Sequence, residues 1–270
     1  DQAFKYDSSA NLSTQKNKVT SLGIGKDSYI SGAYATYVGQ EIGQFYGWVY
    51  KGIARTQEDL DNNAVPQGAH VGACIYEDIS GPDGTPDGVI DAYDQTVLGS
   101  GLPKVNFGLS THMEYKGFDL NISTYGVLNY HVSDDIYNSL NSCYGYGNKE
   151  VGMLDANRWS EDGTYLSSVP RTYAANNATL AWNDLFSSRK IQNAAYWKIA
   201  NVELGYNFPD KWFGGYVNGV RLYVSAQNLY TFTGYHGYNV DYAGGTFTPG
   251  YNFCSFPSAR TFMCGLHFTF

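Results

Sequence analysis

Charge is scarce in this chain. Only 16% of its 270 residues are Asp, Glu, Lys or Arg, and the balance is acidic, with a formal net charge of -8. The 17 Lys and Arg are scattered and make no basic surface of the kind a phosphate backbone requires, which excludes nucleic acid as a partner. Long apolar runs are missing too. Nowhere do about 18 apolar residues follow one another, so the sequence contains no transmembrane helix; a transmembrane β-barrel stays open, because its strands alternate and average out polar. Cysteines are few, and Cys74, Cys143, Cys254 and Cys264 show no C-x-x-C spacing, which argues against a zinc site. The first three lie in polar stretches where an oxidising compartment would permit pairing, whereas Cys264 reads as a small hydrophobe within a strand. Catalytic signatures are absent as well. There is no G-x-S-x-G elbow, phosphate loop or H-E-x-x-H, the neighbouring Asp134 and Asp135 form no acid and nucleophile pair, and the five histidines lack metal-ligand spacing, so no enzyme is expected. The opening DQAFKYDSSANLS is neither basic nor apolar, which suggests that any export signal has been removed or was never part of this piece.

What the chain does have is Tyr 25, Phe 14 and Gly 31. Many tyrosines with few charges suit an interface with lipid headgroups. At the end of the chain Phe262, Cys264, Leu266, Phe268 and Phe270 share one parity, opposite Thr261, Gly265, His267 and Thr269, which predicts a strand with one apolar face. Val105, Phe107, Leu109, Thr111, Met113 and Tyr115 repeat the pattern, Lys116-Gly117 reverses the chain, and Phe118, Leu120 and Ile122 resume it, so a hairpin with a tight Gly turn is expected from about Lys104 to Leu128. Tyr196, Ala200, Val202, Leu204, Tyr206 and Phe208 are assigned to one face of a strand that Pro209 ends. The strand from Arg221 to Thr233 should pair with the terminal one, and Phe4 to Val19 and Ile42 to Ile53 give two weaker strands, about seven in all.

Connections near Lys116 and between Pro209 and Gly219 are short, while those at Lys51 to Gly101, Asn129 to Ser187 and Gly234 to Ser258 are long. Alternation of short turns and long loops is the rule in outer-membrane barrels, whereas structureless loops of such length argue against a compact sandwich. The polar parity carries Asn, Ser, Glu, His and Gly, and Tyr115, Phe118, Tyr206, Phe208, Phe268 and Phe270 near strand ends fit an interfacial girdle. The fold expected is therefore all-β, an antiparallel transmembrane β-barrel segment with long extracellular loops. A secreted soluble β-sandwich that binds glycans is the competing reading.

One string invites a metal. Asp83, Thr85, Asp87, Asp91 and Asp94 stand at positions 1, 3, 5, 9 and 12 of a D-x-T-x-D-G-x-I-D-x-x-D motif, with Gly88 at position 6 and the Val89 carbonyl at position 7. That is the spacing of an EF-hand-type Ca2+ loop, with Thr85 in place of Asp or Asn and Asp94 in place of the bidentate Glu. The alternative is an Asp- and Gly-rich turn that caps a strand without any ion. Loop aromatics Tyr144, Tyr146, Tyr165, Tyr173, Trp182, Tyr235, Tyr238, Tyr242 and Tyr251 offer faces for sugar rings, or else pack their own loops; Arg158 and Trp159 are read as loop-stabilising.

The segments GQEIGQFYGWVYKGI, PDGVIDAYDQTVLGSGLPKVNFGL, YKGFDLNI, NRWSEDG, YWKIANVELGYNFP, RLYVSAQNLYTFTGYHGYN and FPSARTFMCGLHFTF, in this order, resemble the C-terminal barrel portion of SusC/RagA-like TonB-dependent transporters. The resemblance covers almost the whole chain. It implies that residues 1–270 are the C-terminal portion of a 22-stranded barrel whose plug and earlier strands lie outside this chain, with Phe270 as the closing residue. It also implies active import of a large nutrient, an oligosaccharide or a peptide, across the outer membrane of Bacteroidetes-type Gram-negative bacteria. The implied partners are the N-terminal part of the same transporter, a SusD-like surface lipoprotein as lid, the TonB complex acting through the plug, outer-membrane lipid, and a second transporter–lipoprotein pair to form a dimer.

Overall fold

The computed structural model describes residues 4–23, 25–66, 68–143, 147–151, 169–172, 182–213, 217–241 and 244–269. The chain starts with the long strand β1 (Phe4–Thr14), then four short strands, β2 (Ser28–Ser31), β3 (Tyr34–Tyr37), β4 (Gln44–Gly47) and β5 (Tyr50–Ile53). Helix α1 (Gln57–Asp61), closed by a capping box between Thr56 and Asp59, leads to β6 (Cys74–Tyr76) and β7 (Thr96–Ser100). Next come β8 (Val105–Tyr115), β9 (Phe118–Leu128), β10 (His131–Asp134), helix α2 (Asp135–Leu140) and β11 (Gln192–Asn193). The last strands are β12 (Tyr196–Phe208), β13 (Gly219–Thr233), β14 (Tyr251–Asn252) and β15 (Thr261–Thr269).

The long strands form one six-stranded antiparallel sheet in the order β1-β8-β9-β12-β13-β15. Its hairpin turns where expected. Lys116 and Gly117 both have positive φ, 48° and 90°, as a two-residue type I′ turn requires, and a side chain at residue 117 would press on the Asn207 carbonyl oxygen. Pairing of Phe118 with Tyr206 and of Gly219 with Thr269 places the two short connections at the same end of the sheet. All the long connections leave from the other end.

Register gives each face a uniform character. Tyr6, Met113, Leu120, Leu204, Val224 and Cys264 run across one face, with Leu12, Phe107, Trp197, Phe232 and Phe262 nearer the long-loop end. Nothing among the described residues covers this face: Leu109, Tyr115, Phe118, Trp197, Leu204, Leu222, Val224, Phe232, Phe262, Leu266 and Phe268 are all exposed. The opposite face carries Asp7, His112, Asn121, Glu203 and Ser225. Phe270, expected to extend the apolar row, lies outside the described residues.

Three expectations need correction. Ile42 to Ile53 is not one strand of this sheet: β4 pairs with β3 and β7, whereas β5 pairs with β6. The break falls at Trp48, whose indole N–H donates to the Asp91 carbonyl and whose backbone N–H donates to that of Phe186. The sheet therefore holds six of the seven expected strands, and β1 stops at Thr14 instead of Val19. Finally, Tyr196 does not lie on the apolar face. Ala200 is an extra residue between the pairs Ile199–Thr124 and Asn201–Ser123, a bulge that reverses the parity beyond it. Trp197 and Ile199 consequently turn to the apolar side, and Tyr196 and Lys198 to the polar one.

The long connections are folded. A four-stranded sheet β2-β3-β4-β7, the pair β5-β6 and a sheet β11-β10-β14 are built within them. One apolar cluster unites Val127, Tyr130, Val132, Ala194, Tyr196, Tyr235 and Val240 at the long-loop end of the large sheet. Two others lie in the first long connection, around Ala54, Leu60 and Ile75 and around Cys74, Tyr76 and Ile90. Each such cluster offsets the chain entropy that a free loop would retain.

Candidate functional site

The polar face of the large sheet is tied by charge-assisted bonds near its short-turn end. Arg221 on β13 reaches across β12 to Asp119 on β9, donating from Nε to Oδ2 at 2.9 Å and from Nη2 to Oδ1, and also donates to Glu203 at 2.7 Å. The reach requires Gly205 between them, since a Cβ there would lie 2.5 Å from both the guanidinium and the carboxylate. Asn207 adds a bond to Asp119 at 3.0 Å. On the neighbouring strands Lys5, Glu114, His112 and Asn121 form a second chain of contacts at 2.7, 3.0 and 2.7 Å. Such a face suits a water-filled interior.

At the long-loop end the same face is partly covered. Lys198 is 3% exposed, and its ammonium donates to Asp241 at 2.6 Å and lies over the Tyr125 ring, whose hydroxyl also donates to Asp241. This contact draws residues 234–241 over the polar face. Beside it opens a cavity of about 190 Å³ lined by Lys198, Asn228, Thr231, Tyr238, Asn239 and Ser258. Deeper in the loops, buried Asp134 accepts from the Tyr235 hydroxyl, from Asn252 at 2.9 Å and from the Tyr137 backbone at 2.8 Å, joining two long connections. Buried Asn183 accepts from the Cys74 N–H at 2.8 Å and donates to the Arg171 carbonyl at 3.0 Å. Asn183 carries no signature legible in sequence, because its partners are distant backbone groups, whereas Asp134 is legible only as the N-cap of α2 and not as the partner of Tyr235 and Asn252.

The Asp-rich string is ordered differently from a cation cage. Asp94 is fully buried and accepts backbone N–H bonds from Ile79 at 2.8 Å, Ser80 at 3.2 Å and Asp91 at 2.8 Å. Asp83 accepts from the Thr85 N–H and hydroxyl, which hold its carboxyl below the usual range. Asp87 accepts from the Val89 N–H and Asp91 from the Tyr93 N–H. Asp78, outside the motif, takes the Gly88 N–H at 2.7 Å. Among the described residues no three His, Cys, Asp or Glu side chains converge to hold a metal ion. The carboxylates of Asp83, Asp87 and Asp91 each accept a backbone N–H two residues on, as Asx turns do.

Of the loop aromatics, Tyr235 is buried in the apolar cluster, Trp182 packs edge-on against Trp48 at 6.3 Å, and Tyr251 stacks on Phe253. Tyr238 is 61% exposed and lines the cavity. Tyr144, Tyr146, Tyr165, Tyr173, Tyr242, Arg158 and Trp159 lie outside the described residues. All four cysteines are free, Cys74 and Cys143 buried, Cys254 and Cys264 exposed.

An antiparallel wall with an uncovered apolar face, a charged face behind it, short turns at one end and folded loops at the other defines the class: a segment of the transmembrane β-barrel type. No family model matches the chain. Curated relatives do: it is 29% identical to TonB-dependent receptor P3 of Formosa agariphila, over 100% of this chain and 27% of that protein. It is 25% identical to TonB-dependent receptor SusC of Bacteroides thetaiotaomicron, over 99% and 24%. The structure of the RagAB peptide importer in its open-open state superposes with a TM-score of 0.75 at 20% identity, over 100% of this chain and 27% of that one. The chain thus spans about a quarter of the length of the curated relatives it matches. Over its whole length the chain is thus similar to one part of TonB-dependent receptors, SusC among them, and shares the fold of the corresponding part of the RagAB importer.

Proposed function

We propose that residues 1–270 form the C-terminal part of the barrel of an outer-membrane transporter, which imports a large oligosaccharide or peptide under a SusD-like lipoprotein lid and with TonB coupling. The observation that carries this reading is the continuous, uncovered apolar face of the six-stranded sheet. In lipid that face is solvated by acyl chains, and the missing strands of the same receptor satisfy the backbone groups of β1 and β15. A soluble glycan-binding sandwich would need a second sheet packed on those side chains, and none lies there among the described residues. The polar face then lines the import path, and the folded long connections face the exterior, where the lid would sit. Fractionation of cells carrying the full receptor tests this. Recovery in the outer membrane, a detergent requirement, heat-modifiable mobility and co-purification of a surface lipoprotein are expected; a detergent-free soluble receptor would overturn the reading, and loss of the lipoprotein alone would remove the lid.

A further inference from the structure

The cavity between β13 and residues 237–240 differs in chemistry from the rest of the polar face. Near the short turns that face is ionic, with Asp119, Arg221, Glu203, Lys5 and Glu114 in contact. The cavity wall instead presents hydroxyls and amides: Thr231 from the strand, Asn228 from its left-handed position at φ 51°, Asn239 from the overlying loop and Ser258 from the return segment. Its one cation is Lys198, and this charge is answered by Asp241 at 2.6 Å, leaving no net charge to attract an anion. Part of the polar lining is already engaged, since Asn228 donates to the Ala259 carbonyl at 3.0 Å and the Asn239 side-chain oxygen accepts from Asp241. Among the described residues no hydrogen bond within the chain engages the Thr231 or Ser258 hydroxyl or the Asn239 amide N–H groups. Tyr238 stands exposed at the rim.

From this we infer that the cavity is a subsite for one neutral pyranose ring of a saccharide passing along the polar face. This inference rests on the transporter reading and sharpens it, by favouring a neutral glycan over a peptide or an acidic polysaccharide. A pyranose carries several hydroxyls, each donor and acceptor at once, which match mixed hydroxyl and amide partners. Its C–H faces lie flat on a phenol such as Tyr238, as an amphipathic aromatic allows. The cavity of about 190 Å³ has room for one ring. A peptide terminus or a uronate would bring a charge that the closed Lys198–Asp241 pair does not neutralise.

The experiment uses the full receptor, purified from outer membranes in detergent, with saturation-transfer NMR at neutral pH on methyl glycosides of glucose, galactose, mannose and xylose, the methyl glycoside of galacturonic acid with its carboxylate ionised, and a tetrapeptide. At least one neutral glycoside should bind at millimolar concentration, with the galacturonate and the peptide silent. Tyr238→Ala and Thr231→Val should each weaken that binding about tenfold, the loss of one stacking or one hydrogen-bonding partner. Absence of binding by all four neutral glycosides, binding unmoved in both variants, or preference for the acid or the peptide would overturn the inference. Heat-modifiable mobility of the same samples keeps the two readings apart: a correctly assembled receptor that ignores neutral glycosides refutes the subsite alone.

Discussion

The large sheet and the long connections hold themselves together in opposite ways. In the sheet, ladder hydrogen bonds run through six strands while the large apolar side chains of one face stay exposed. In the connections, strands are two to five residues long and the order comes from three apolar clusters together with buried polar anchors, Asp134, Asn183 and Asp94. The outer face of the sheet is therefore left for its medium to solvate, while the loops close on their own apolar clusters and polar anchors.

The largest test of that contrast is Leu204→Arg at mid-height of the apolar face. About 2–4 kcal/mol of barrel stability should be lost if this face meets the bilayer midplane, seen as a smaller heat-resistant fraction, whereas Asn201→Arg on the polar face should cost far less. Equal tolerance of both would sink the assignment of the faces. Next, Asp134→Ala should cost about 3 kcal/mol locally, because Tyr235, Asn252 and the Tyr137 N–H lose one acceptor together. Hydrogen exchange should rise in β10, α2 and β14 while the large sheet stays protected; a uniform rise would mean that sheet and loops unfold as one. Asp94→Ala should loosen the 78–94 loop by about 2 kcal/mol to the same degree with and without calcium, measured by limited proteolysis, and a calcium-dependent difference would restore the Ca2+ reading.

A smaller effect separates the thiols. Burial pushes Cys74 up to about 11 and Cys143 up to about 12, so both keep their protons where an unfolded thiol, near 9.0, would lose them. Their contribution is complete below about 9 and fades as pH rises through the two folded values. At pH 8 a membrane-impermeant maleimide should label Cys254 and spare Cys74 and Cys143; lipid should shield Cys264. Labelling of the buried pair should begin only as the loops loosen at alkaline pH.

How much of this was legible in the sequence follows the same divide. Period-two alternation marks β8, β9, β13 and β15 because one face of each meets a single uniform environment. The β12 bulge escapes that rule: Ala200 is neither Gly nor Pro, and the adjacent Tyr196 and Trp197 fit either parity. Within the loops local propensity is weak and long-range contacts decide. An Asp-rich motif has the spacing of a calcium loop and of a chain of Asx turns alike, and only the direction of the carboxylates distinguishes them. Lys198 carries no signal in the sequence for a related reason. A lone lysine in a strand names neither its partner nor its side, and both were set by the bulge and by Asp241, well downstream.

The extra residue at Ala200 has a mechanical meaning. It acts as a half-turn coupling in a shaft: below it the strand drives Val202 and Leu204 outward, above it the phase is reset so that Trp197 grips the outside while Tyr196 and Lys198 hold the loops within. Removing that one residue would exchange the two grips, sending an ammonium to the apolar face and an indole to the polar one, so the fit of the long connections to the wall depends on the residue count at this bulge.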